Sequence, residues 1–350
     1  MRLRKAHNDR MSNPHDTASS SAPGSTPLHV IAGAGQIGPL IARRLVDRGY
    51  RVRMIRRGAF GDVPAGVETA SASLADPAAA AEAMRGASVV YHCANPRYHR
   101  WAAELIPLTR GITVGAARAG ARLVALDNLY MYRLPADGRL TEATEVGPVS
   151  RKGALRAEAA EVMLDAHARG HLPVAIGRAA DFFGPACTNS VLGERFWTKL
   201  LAGKAVELLG DPDQPHSYSY VPDVADALVT LGTVDPAMSA GADVYGRVWH
   251  LPVLPAEPTR AWLERFARAV GVAPRSTRLS PVLLRIAGLV LPEAGELPEM
   301  IYQWRQPFVL DDTAFRRRFG AAPTPLAQAV ADTVAWARAR YGQGRGAVAA

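Results

Sequence analysis

The 350-residue sequence contains only two cysteines and no long uninterrupted apolar run. Cys93 and Cys187 are too few for a disulfide framework or a structural zinc site, so we expect reduced thiols in a cytoplasm and no bound metal. The longest apolar stretch towards the C-terminus, Val282 to Leu291, is interrupted by Arg285 and is shorter than the roughly 20 residues that a membrane span needs. The composition therefore predicts a globular cytoplasmic protein without a membrane-spanning helix.

Acidic residues are in the minority, with 32 Asp and Glu against 41 Lys and Arg and a net charge of +9. A basic excess raises the possibility of nucleic-acid binding. Here the excess is almost all arginine and is scattered along the chain, without an aromatic-interleaved basic stripe or a helix-turn-helix pattern. We therefore expect a small-molecule substrate as the partner, and neither nucleic acid nor a membrane.

The ends of the chain differ in composition from the rest. Residues 1–27 combine basic side chains with Ser, Thr, Pro, Gly and Asn and lack an apolar run of signal-peptide length, so they are predicted to be a disordered tail. Met11 is an alternative start. Residues 342–350 are predicted to be a flexible C-terminal tail.

From Leu28 onward, short β-rich runs alternate with longer helical periodicities. This alternation predicts an α/β fold, a Rossmann-type doubly wound parallel sheet with helices on both faces. The predicted strands are Leu28–Ala32, Arg51–Ile55, Val67–Ala70, Ser88–Cys93, Arg122–Leu126 and Val174–Arg178. The predicted helices between them are Ile37–Arg48, Pro77–Arg85, Trp101–Ala119 and Lys152–Arg169.

After Gly184 and Pro185 the alternation weakens and proline becomes frequent. We therefore divide the chain into a dinucleotide-binding domain, residues 28–184, and a smaller substrate-binding lobe, residues 185–341. The chain is expected to return to the sheet around Val248 to Leu251. Helices of the lobe are predicted at Leu192–Ala202, Val224–Leu231, Thr259–Val270, Val282–Leu289, Asp312–Phe319 and Leu326–Arg340.

A glycine-rich turn joins the first predicted strand to the first helix. Gly33, Gly35 and Gly38 fit the G-x-G-x-x-G pattern in the strand-to-helix context that gives this pattern its meaning. Free N–H groups at the start of the helix attract phosphates, and Gly35 lets the backbone approach a pyrophosphate. We assign the turn, with Gln36 and Ile37, to cofactor binding; the alternative is a glycine turn that binds nothing.

Two arginines stand at the end of the second strand, where an NAD-selective domain usually has an acid for the ribose hydroxyls. Arg56 and Arg57 suit a 2′-phosphate through charge-assisted bonds, which favours NADP while leaving NAD possible. The alternative is a solvated basic strand end.

Several segments together resemble one enzyme family. They are the glycine turn, Leu74-Ala75-Asp76-Pro77, Val89 to Ala94, Tyr132, Arg178 to Pro185 and His216 to Ala225. In this order and spacing they are similar to the extended short-chain dehydrogenase/reductases of the NAD-dependent epimerase/dehydratase type, from about Leu28 to Ala337. The resemblance implies that Cys93 and Ala94 lie beside the cofactor, that Asp181 approaches the nicotinamide, and that Asp223 caps the helix that follows it.

The sequence departs from this family at all three positions that carry its chemistry. The family uses a Tyr-x-x-x-Lys pair and a Ser or Thr. By alignment of the motifs, Asn128 stands at the hydroxyl position, Lys152 replaces the tyrosine and Arg156 replaces the lysine. An arginine can still supply charge and ribose contacts, whereas a lysine is a different acid.

Three interpretations of this site remain open. In the first, the protein is an NAD(P)-dependent oxidoreductase or epimerase/dehydratase-like enzyme acting on a small carbonyl, hydroxyl or sugar-like substrate. Lys152, Tyr130 or Tyr132 donates the proton, and Asn128 polarises a carbonyl. In the second, the protein is a non-catalytic NADP-binding sensor or regulator. In the third, Lys152 and Arg156 form a solvated helix face and Asn128 is a turn residue.

A partly aromatic face is expected near the end of the substrate-binding lobe. Glu296, Glu299, Tyr302 and Trp304 recur at near-helical spacing. Such a face is more typical of packing or of a contact between copies of the chain than of a ligand site, so a homodimer is possible.

Overall fold

The computed structural model describes residues 26–235, 243–280, 284, 286, 290 and 292–342. The predictions for the N-terminal tail as far as residue 25, for most of Val282–Leu289 and for residues 343–350 lie outside the described residues. No helix in the described ranges is long and apolar enough to cross a bilayer.

The chain alternates strands and helices through its first half. The strands are β1 (Leu28–Ala32), β2 (Arg51–Arg56), β3 (Val67–Ser71), β4 (Ala87–His92), β5 (Arg122–Asp127), β6 (Arg139–Leu140), β7 (Val174–Arg178), β8 (Asp181–Phe183), β9 (Val206–Leu208), β10 (Pro215–His216), β11 (Tyr218–Tyr220), β12 (Arg247–His250), β13 (Glu257–Pro258), β14 (Ser276–Arg278) and β15 (Val309–Leu310). The longer helices are α1 (Gly38–Asp47), α2 (Pro77–Ala83), α3 (Trp101–Arg118), α4 (Arg151–Ala168), α5 (Glu194–Leu201), α6 (Val221–Thr233) and α7 (Thr259–Val270). Helices Pro292–Gly295, Thr313–Phe319 and Leu326–Tyr341 and the 3-10 turns Tyr98–Arg100 and Pro298–Trp304 complete the described elements.

Seven strands form one parallel sheet in the order β12-β7-β5-β4-β1-β2-β3. The order reverses on either side of β1, which is the arrangement of a doubly wound fold. The predicted Rossmann-type fold is therefore confirmed. The chain also returns to the sheet as β12, whose residues Arg247 to His250 pair with β7.

Both faces of the sheet are covered, which explains why its strands are apolar almost throughout. All five residues of β1 are buried. Their side chains alternate between two apolar clusters. Ile31 packs on the side of α1 and α6, whereas Val30 and Ala32 pack on the side of α2, α3 and α4. The sheet is thereby held rigidly between two helical layers, and its strand ends are fixed in position.

The C-terminal part of the chain has its own aromatic core. Short strand pairs and the helices α5, α7 and Leu326–Tyr341 surround this core. Its largest fully buried side chains include Trp197, Trp262, Phe183 and Phe266. This core supports the wall of the lobe that faces the carboxyl ends of the sheet strands.

Asp223 does not cap α6, contrary to the implication of the resemblance. The helix begins at Val221, and the residue at its N-cap position is Tyr220, which makes no side-chain cap bond. Asp223 therefore lies within the first turn, and its carboxylate accepts hydrogen bonds from the Thr324 backbone N–H at 2.8 Å and from the Thr324 hydroxyl at 2.5 Å. The side chain joins α6 to the last helix instead.

Three buried histidines are held in the neutral form. Burial lowers the pKa of His29 to about 4 and the pKa values of His92 and His250 to about 3, with smaller contributions from nearby arginines. The His250 ring is fixed by the Tyr132 hydroxyl, 2.8 Å from Nε2, and by the Asp311 carbonyl, 3.1 Å from Nδ1. When the pH is below about 6.5, these histidines bind protons in the unfolded chain but stay neutral in the folded chain. Acid therefore favours unfolding.

We expect the free energy of unfolding to fall as the pH is lowered from 6.5 towards 5, by at most about 1.4 kcal/mol per pH unit for each of these histidines. Chemical denaturation at a series of pH values measures the slope. His250→Gln should reduce it, whereas His171→Gln, at an exposed position, should not. A wild-type free energy that is flat over this range would contradict the expectation.

Candidate functional site

A cleft of about 1990 Å³ opens at the carboxyl ends of the parallel strands, where ligands bind in doubly wound folds. Its walls come from the sheet edge on one side and from the C-terminal lobe on the other. Of the site residues predicted from the sequence, the cleft is lined by Gly33, Gly35, Gln36, Ile37, Arg56, Arg57, Cys93, Ala94, Asn128, Tyr130, Arg156 and Asp181. Gly38, Tyr132 and Lys152 do not line it.

The three glycines of the turn meet different surroundings. At Gly33, whose φ is +117°, a Cβ atom would lie 2.6 Å from the backbone nitrogen of Ala94. At Gly38 it would lie 2.2 Å from the carbonyl oxygen of Gly33. At Gly35 it would meet no protein atom within 4 Å. Gly33 and Gly38 are thus required by the fold, whereas Gly35 leaves open space of the kind that a pyrophosphate needs.

Gln36 connects the turn to the C-terminal lobe. Its Oε1 accepts a hydrogen bond from the Asn189 backbone N–H at 2.6 Å, and its Nε2 donates to the Asn189 carbonyl at 3.3 Å. The amide is therefore already engaged by the protein, and the two walls of the cleft are joined at the turn.

The end of β2 presents two guanidinium groups and no carboxylate. None of the residues from Arg56 to Ala59 is acidic. Arg56 Nε donates to its neighbour's carbonyl at 3.2 Å, while Arg57 is largely exposed and lies 3.5 Å from Glu104. Each arginine keeps donors that are free to meet an anion at the cleft wall.

A buried ion network lies under the middle of the cleft. Asp127 ends β5, and its Oδ2 accepts from Arg178 Nε at 3.2 Å. Its Oδ1 lies 3.6 Å from Arg156 Nη1, too far for a hydrogen bond. Arg156 donates to Asn95 Oδ1 at 2.8 Å and its guanidinium lies 4.2 Å from the Trp101 ring centre. Asp127 Oδ1 and Arg156 Nε are both buried without a hydrogen-bond partner among the described residues.

This network contains a residue that the sequence reasoning missed. Asp127 directly precedes Asn128 at the end of a strand, and an acid there was the available signal. Arg156 is half-buried, so the interpretation of Lys152 and Arg156 as a solvated helix face is wrong. A charged side chain under a cleft needs partners, and Asp127 and Asn95 supply them.

Asn128 serves partly as a turn residue. Its Oδ1 accepts from the Tyr130 backbone N–H at 3.1 Å, an interaction typical of an Asx turn. The side chain nevertheless lines the cleft. Its amide nitrogen makes no hydrogen bond to another described residue.

Tyr130 and Tyr98 form a hydroxyl pair in the cleft. Burial raises the pKa of each phenol well above its usual range, and the negative charge of Asp181 raises both further. Both therefore stay protonated, so they act as hydrogen-bond donors and not as bases. Tyr132, by contrast, is buried against His250, with the Arg178 guanidinium 4.7 Å from its ring centre.

Lys152 is an ion-paired side chain in the protein interior. Its side chain is 4% exposed, and Nζ forms ion pairs with Glu296 and, at 2.9 Å, with Glu299. It also lies 4.5 Å from the ring centre of Tyr98. The second oxygen of Glu299 accepts from the backbone N–H of Arg151 at the start of α4. The two carboxylates supply the partners that a buried ammonium group requires.

The segment Pro292–Trp304 is consequently part of the site. Two of its acids hold Lys152, and Leu297, Met300 and Trp304 line the cleft. The packing predicted for this segment is present, because Trp304 is buried in a cluster with Leu209 and Ile301. The segment also forms one wall of the cleft and is fixed to the start of α4.

Asp181 lines the cleft at the end nearest this wall. His216 Nε2 lies 2.7 Å from Asp181 Oδ2. The His216 ring is 1% exposed and stacks on Trp304, with ring centres 4.7 Å apart and planes 8° apart. The pairing was not foreseen from the sequence because the two residues are 35 positions apart.

His92 ends β4, and Cys93 is the next residue, at the edge of the cleft. Burial raises the pKa of the Cys93 thiol to about 12, so it is not a nucleophile at neutral pH. Among the residues that the structure describes, no three His, Cys, Asp or Glu side chains lie close enough to hold a metal ion.

A glycine turn over a cleft at the carboxyl edge of a doubly wound sheet defines the class of Rossmann-type dinucleotide-binding proteins. The family model described as the NAD dependent epimerase/dehydratase family matches residues 29–241. The chain belongs to that family. No curated protein matches it in a sequence search.

Solved structures with the same fold include two enzymes named for nucleotide sugars and one further protein bound to a nucleotide sugar. UDP-glucuronic acid 4-epimerase from Bacillus cereus, in complex with UDP-glucuronic acid and NAD, is 15% identical with a TM-score of 0.72, covering 90% of this chain and 100% of that one. DesIV, a dTDP-glucose 4,6-dehydratase from Streptomyces venezuelae, is 19% identical with a TM-score of 0.72, covering 90% and 98%. MoeE5, in complex with UDP-glucose and NAD, is 21% identical with a TM-score of 0.70, covering 90% and 99%.

Substitutions in the glycine turn should separate folding from binding. Gly38→Ala is expected to lower the free energy of unfolding by about 1–3 kcal/mol, because its Cβ meets backbone. Gly35→Ala should leave stability nearly unchanged and weaken dinucleotide binding, measured by ligand fluorescence. Unchanged binding in Gly35→Ala would argue against a pyrophosphate at this turn.

Removal of the Lys152 charge should loosen the wall. Lys152→Met leaves Glu296 and Glu299 unpaired, so we expect faster hydrogen exchange in Pro292–Trp304 and a loss of about 2 kcal/mol. Arg110→Met, which removes an exposed ion pair with Glu158, is the control. It should change neither the hydrogen exchange of this segment nor the free energy of unfolding.

A further variant distinguishes a structural from a catalytic lysine. Adding Glu296→Gln and Glu299→Gln to Lys152→Met should restore part of the stability, because the unpaired charges are removed. Lost turnover together with unchanged exchange and stability in Lys152→Met would instead identify Lys152 as the proton donor.

Proposed function

We propose that this protein is an NAD(P)-dependent oxidoreductase or epimerase/dehydratase-like enzyme that acts on a small carbonyl, hydroxyl or sugar-like substrate. The observation that carries the proposal is the single continuous cleft, which runs from the glycine turn past Asn128 and Tyr130 to Asp181. Its volume exceeds the roughly 300–1,000 Å³ of an ordinary small-molecule site, so it has room for a dinucleotide and a second ligand.

The residues at the turn fit a dinucleotide. Gly35 leaves space for the diphosphate, and the start of α1 offers free backbone N–H groups. Bound there, a nicotinamide dinucleotide would supply the hydride-transfer chemistry. Arg56 and Arg57 at the end of β2 favour NADP, although the similar structures described above hold NAD.

Tyr130 is the group in the cleft best suited to give a proton to a substrate oxygen. It lines the cleft, its hydroxyl is paired with that of Tyr98, and Arg156 lies close enough to influence its ionisation. Because burial raises the pKa of Tyr130, the phenol is protonated at neutral pH and can give its proton to an alkoxide, which is the stronger base. The protonated phenol is the form that reduction of a carbonyl requires. Asn128, which also lines the cleft, would hold the same oxygen.

The second candidate function is a dinucleotide-binding regulator without turnover. Lys152 and Arg156 stand where the family resemblance places the catalytic pair, and both are used in ion pairs within the protein. Such a protein would bind the dinucleotide and change its contacts without transferring hydride.

A substrate panel distinguishes the two. Purified protein is mixed with NADPH or NADH and a panel of aldehydes, ketones and nucleotide sugars, and nicotinamide absorbance is followed. We expect turnover, and Tyr130→Phe should lower kcat about 100-fold, the usual contribution of a positioned proton donor. Tyr50→Phe, outside the cleft, is the control. Dinucleotide binding without oxidation across the panel would favour the regulator.

Cofactor preference has its own test. Arg56→Asp should weaken NADPH binding by at least about 10-fold and leave NADH binding little changed, since a charge-assisted contact to the 2′-phosphate is lost. Arg43→Asp, an exposed charge change on α1, is the control for bulk electrostatics. An unchanged NADPH-to-NADH ratio in Arg56→Asp would remove the argument for NADP.

A further inference from the structure

We propose that Asp181, held by His216, recognises a phosphate-free ligand that donates hydrogen bonds through hydroxyl or ammonium groups, and that the substrate end of the cleft does not take a nucleoside diphosphate. The inference rests on the proposed function, since it names the substrate class for the same cleft.

His216 engages one oxygen of the Asp181 carboxylate. The His216 ring is 1% exposed, and its Nε2 atom lies 2.7 Å from Asp181 Oδ2. Its Nδ1 atom is buried without a hydrogen-bond partner among the described residues. The contact with Asp181 is therefore the hydrogen bond that holds the ring, with Nε2 as the donor and the carboxylate as the acceptor.

Strand pairing and ring stacking fix the orientation of the Asp181 carboxylate. Strand β8 pairs with β11, which places Asp181 opposite Tyr218. His216 is fixed between Trp304 and Phe308, with ring centres 4.7 and 5.2 Å away. With Oδ2 held in this way, the rest of a carboxylate that lines the cleft is available to a ligand.

The groups around Asp181 include several aromatic rings. The pKa values of Tyr130 and Tyr302 are raised by burial first and by the Asp181 charge second, so both phenols remain neutral. Tyr130 lines the cleft with Asp181, and His216 joins the carboxylate to the Trp304 ring. Such rings tolerate cations and sugar faces.

The described cations of this part of the cleft mostly have partners. Arg195 is bound by Glu207, with contacts of 2.7 and 3.3 Å, and Arg156 is held by Asp127 and Asn95. Among the described lining residues, the arginines without a carboxylate at their side are Arg56, at the glycine-turn end, and Arg97, which is exposed. A diphosphate next to Asp181 would therefore meet like charge, with the exposed Arg97 as the remaining cation among these residues.

The test compares simple probes on the full-length protein by ligand-observed NMR and calorimetry. Glucose offers hydroxyls, glucosamine adds an ammonium group, glucuronate adds a carboxylate, and UDP-glucose carries the diphosphate. We expect glucose and glucosamine to bind, glucuronate to bind at least about tenfold more weakly, and UDP-glucose to bind no better than glucose. Titration with and without NADPH identifies any UDP-glucose that occupies the dinucleotide end.

Asp181→Asn keeps the shape and removes the charge. The substitution should reduce the difference in affinity between glucose and glucuronate to less than about threefold. Asp213→Asn, outside the cleft, should leave the difference unchanged, and thermal melting checks that both variants fold. Preference for glucosamine over glucose identifies the ammonium group as the recognised donor, and equal binding identifies the hydroxyls.

Three results would overturn the proposal: UDP-glucose binding about tenfold tighter than glucose in the NADPH-bound protein, failure of both donor probes to bind, or unchanged discrimination in Asp181→Asn. None of these readouts needs turnover. A failure of the proposed enzyme function would appear in the substrate panel and leave the probe selectivity intact.

Discussion

The site depends on a place where the backbone has no room for a side chain. The turn after β1 passes so close to Ala94, at the end of β4, that a single Cβ at Gly33 would overlap its backbone. Gly38 meets the Gly33 carbonyl in the same way and allows α1 to start directly above the strand. The contact fixes the helix start at the carboxyl edge of the sheet, and the cleft follows from it. Gly35, between the two, is the position left open.

The floor and far wall of the cleft are held by charges. Asp127 pairs with two arginines beneath the floor, and Glu296 and Glu299 hold Lys152 at the wall. Buried charges are stable only with such partners, so these residues act in groups. Lys152 and Arg156, which the sequence resemblance aligns with the family's catalytic pair, are part of this framework. The polar groups facing the cleft include Asn128, the tyrosine pair and Asp181.

Local patterns in the sequence were sufficient for the fold and for the glycine turn at one end of the cleft. Hydrophobic runs of strand length alternating with helices predicted the parallel sheet, including the return of the chain at β12. The turn was recognisable because its glycines, strand and helix are contiguous. The implication of the resemblance for Asp223 was wrong, because a shift of a few residues in the helix start decides whether an acid caps the helix or joins it to Thr324.

The sequence by itself determined the doubly wound sheet, the glycine turn and the two arginines after β2. Each of these is encoded within a short stretch of chain, where spacing and residue type are enough. Only the tertiary structure decided that Lys152 is paired with Glu296 and Glu299 and that Asp181 is paired with His216. These contacts join residues far apart in the chain, and the physical reason is burial. A charge removed from water is stabilised by the partner that folding brings beside it, and one sequence does not name that partner in advance.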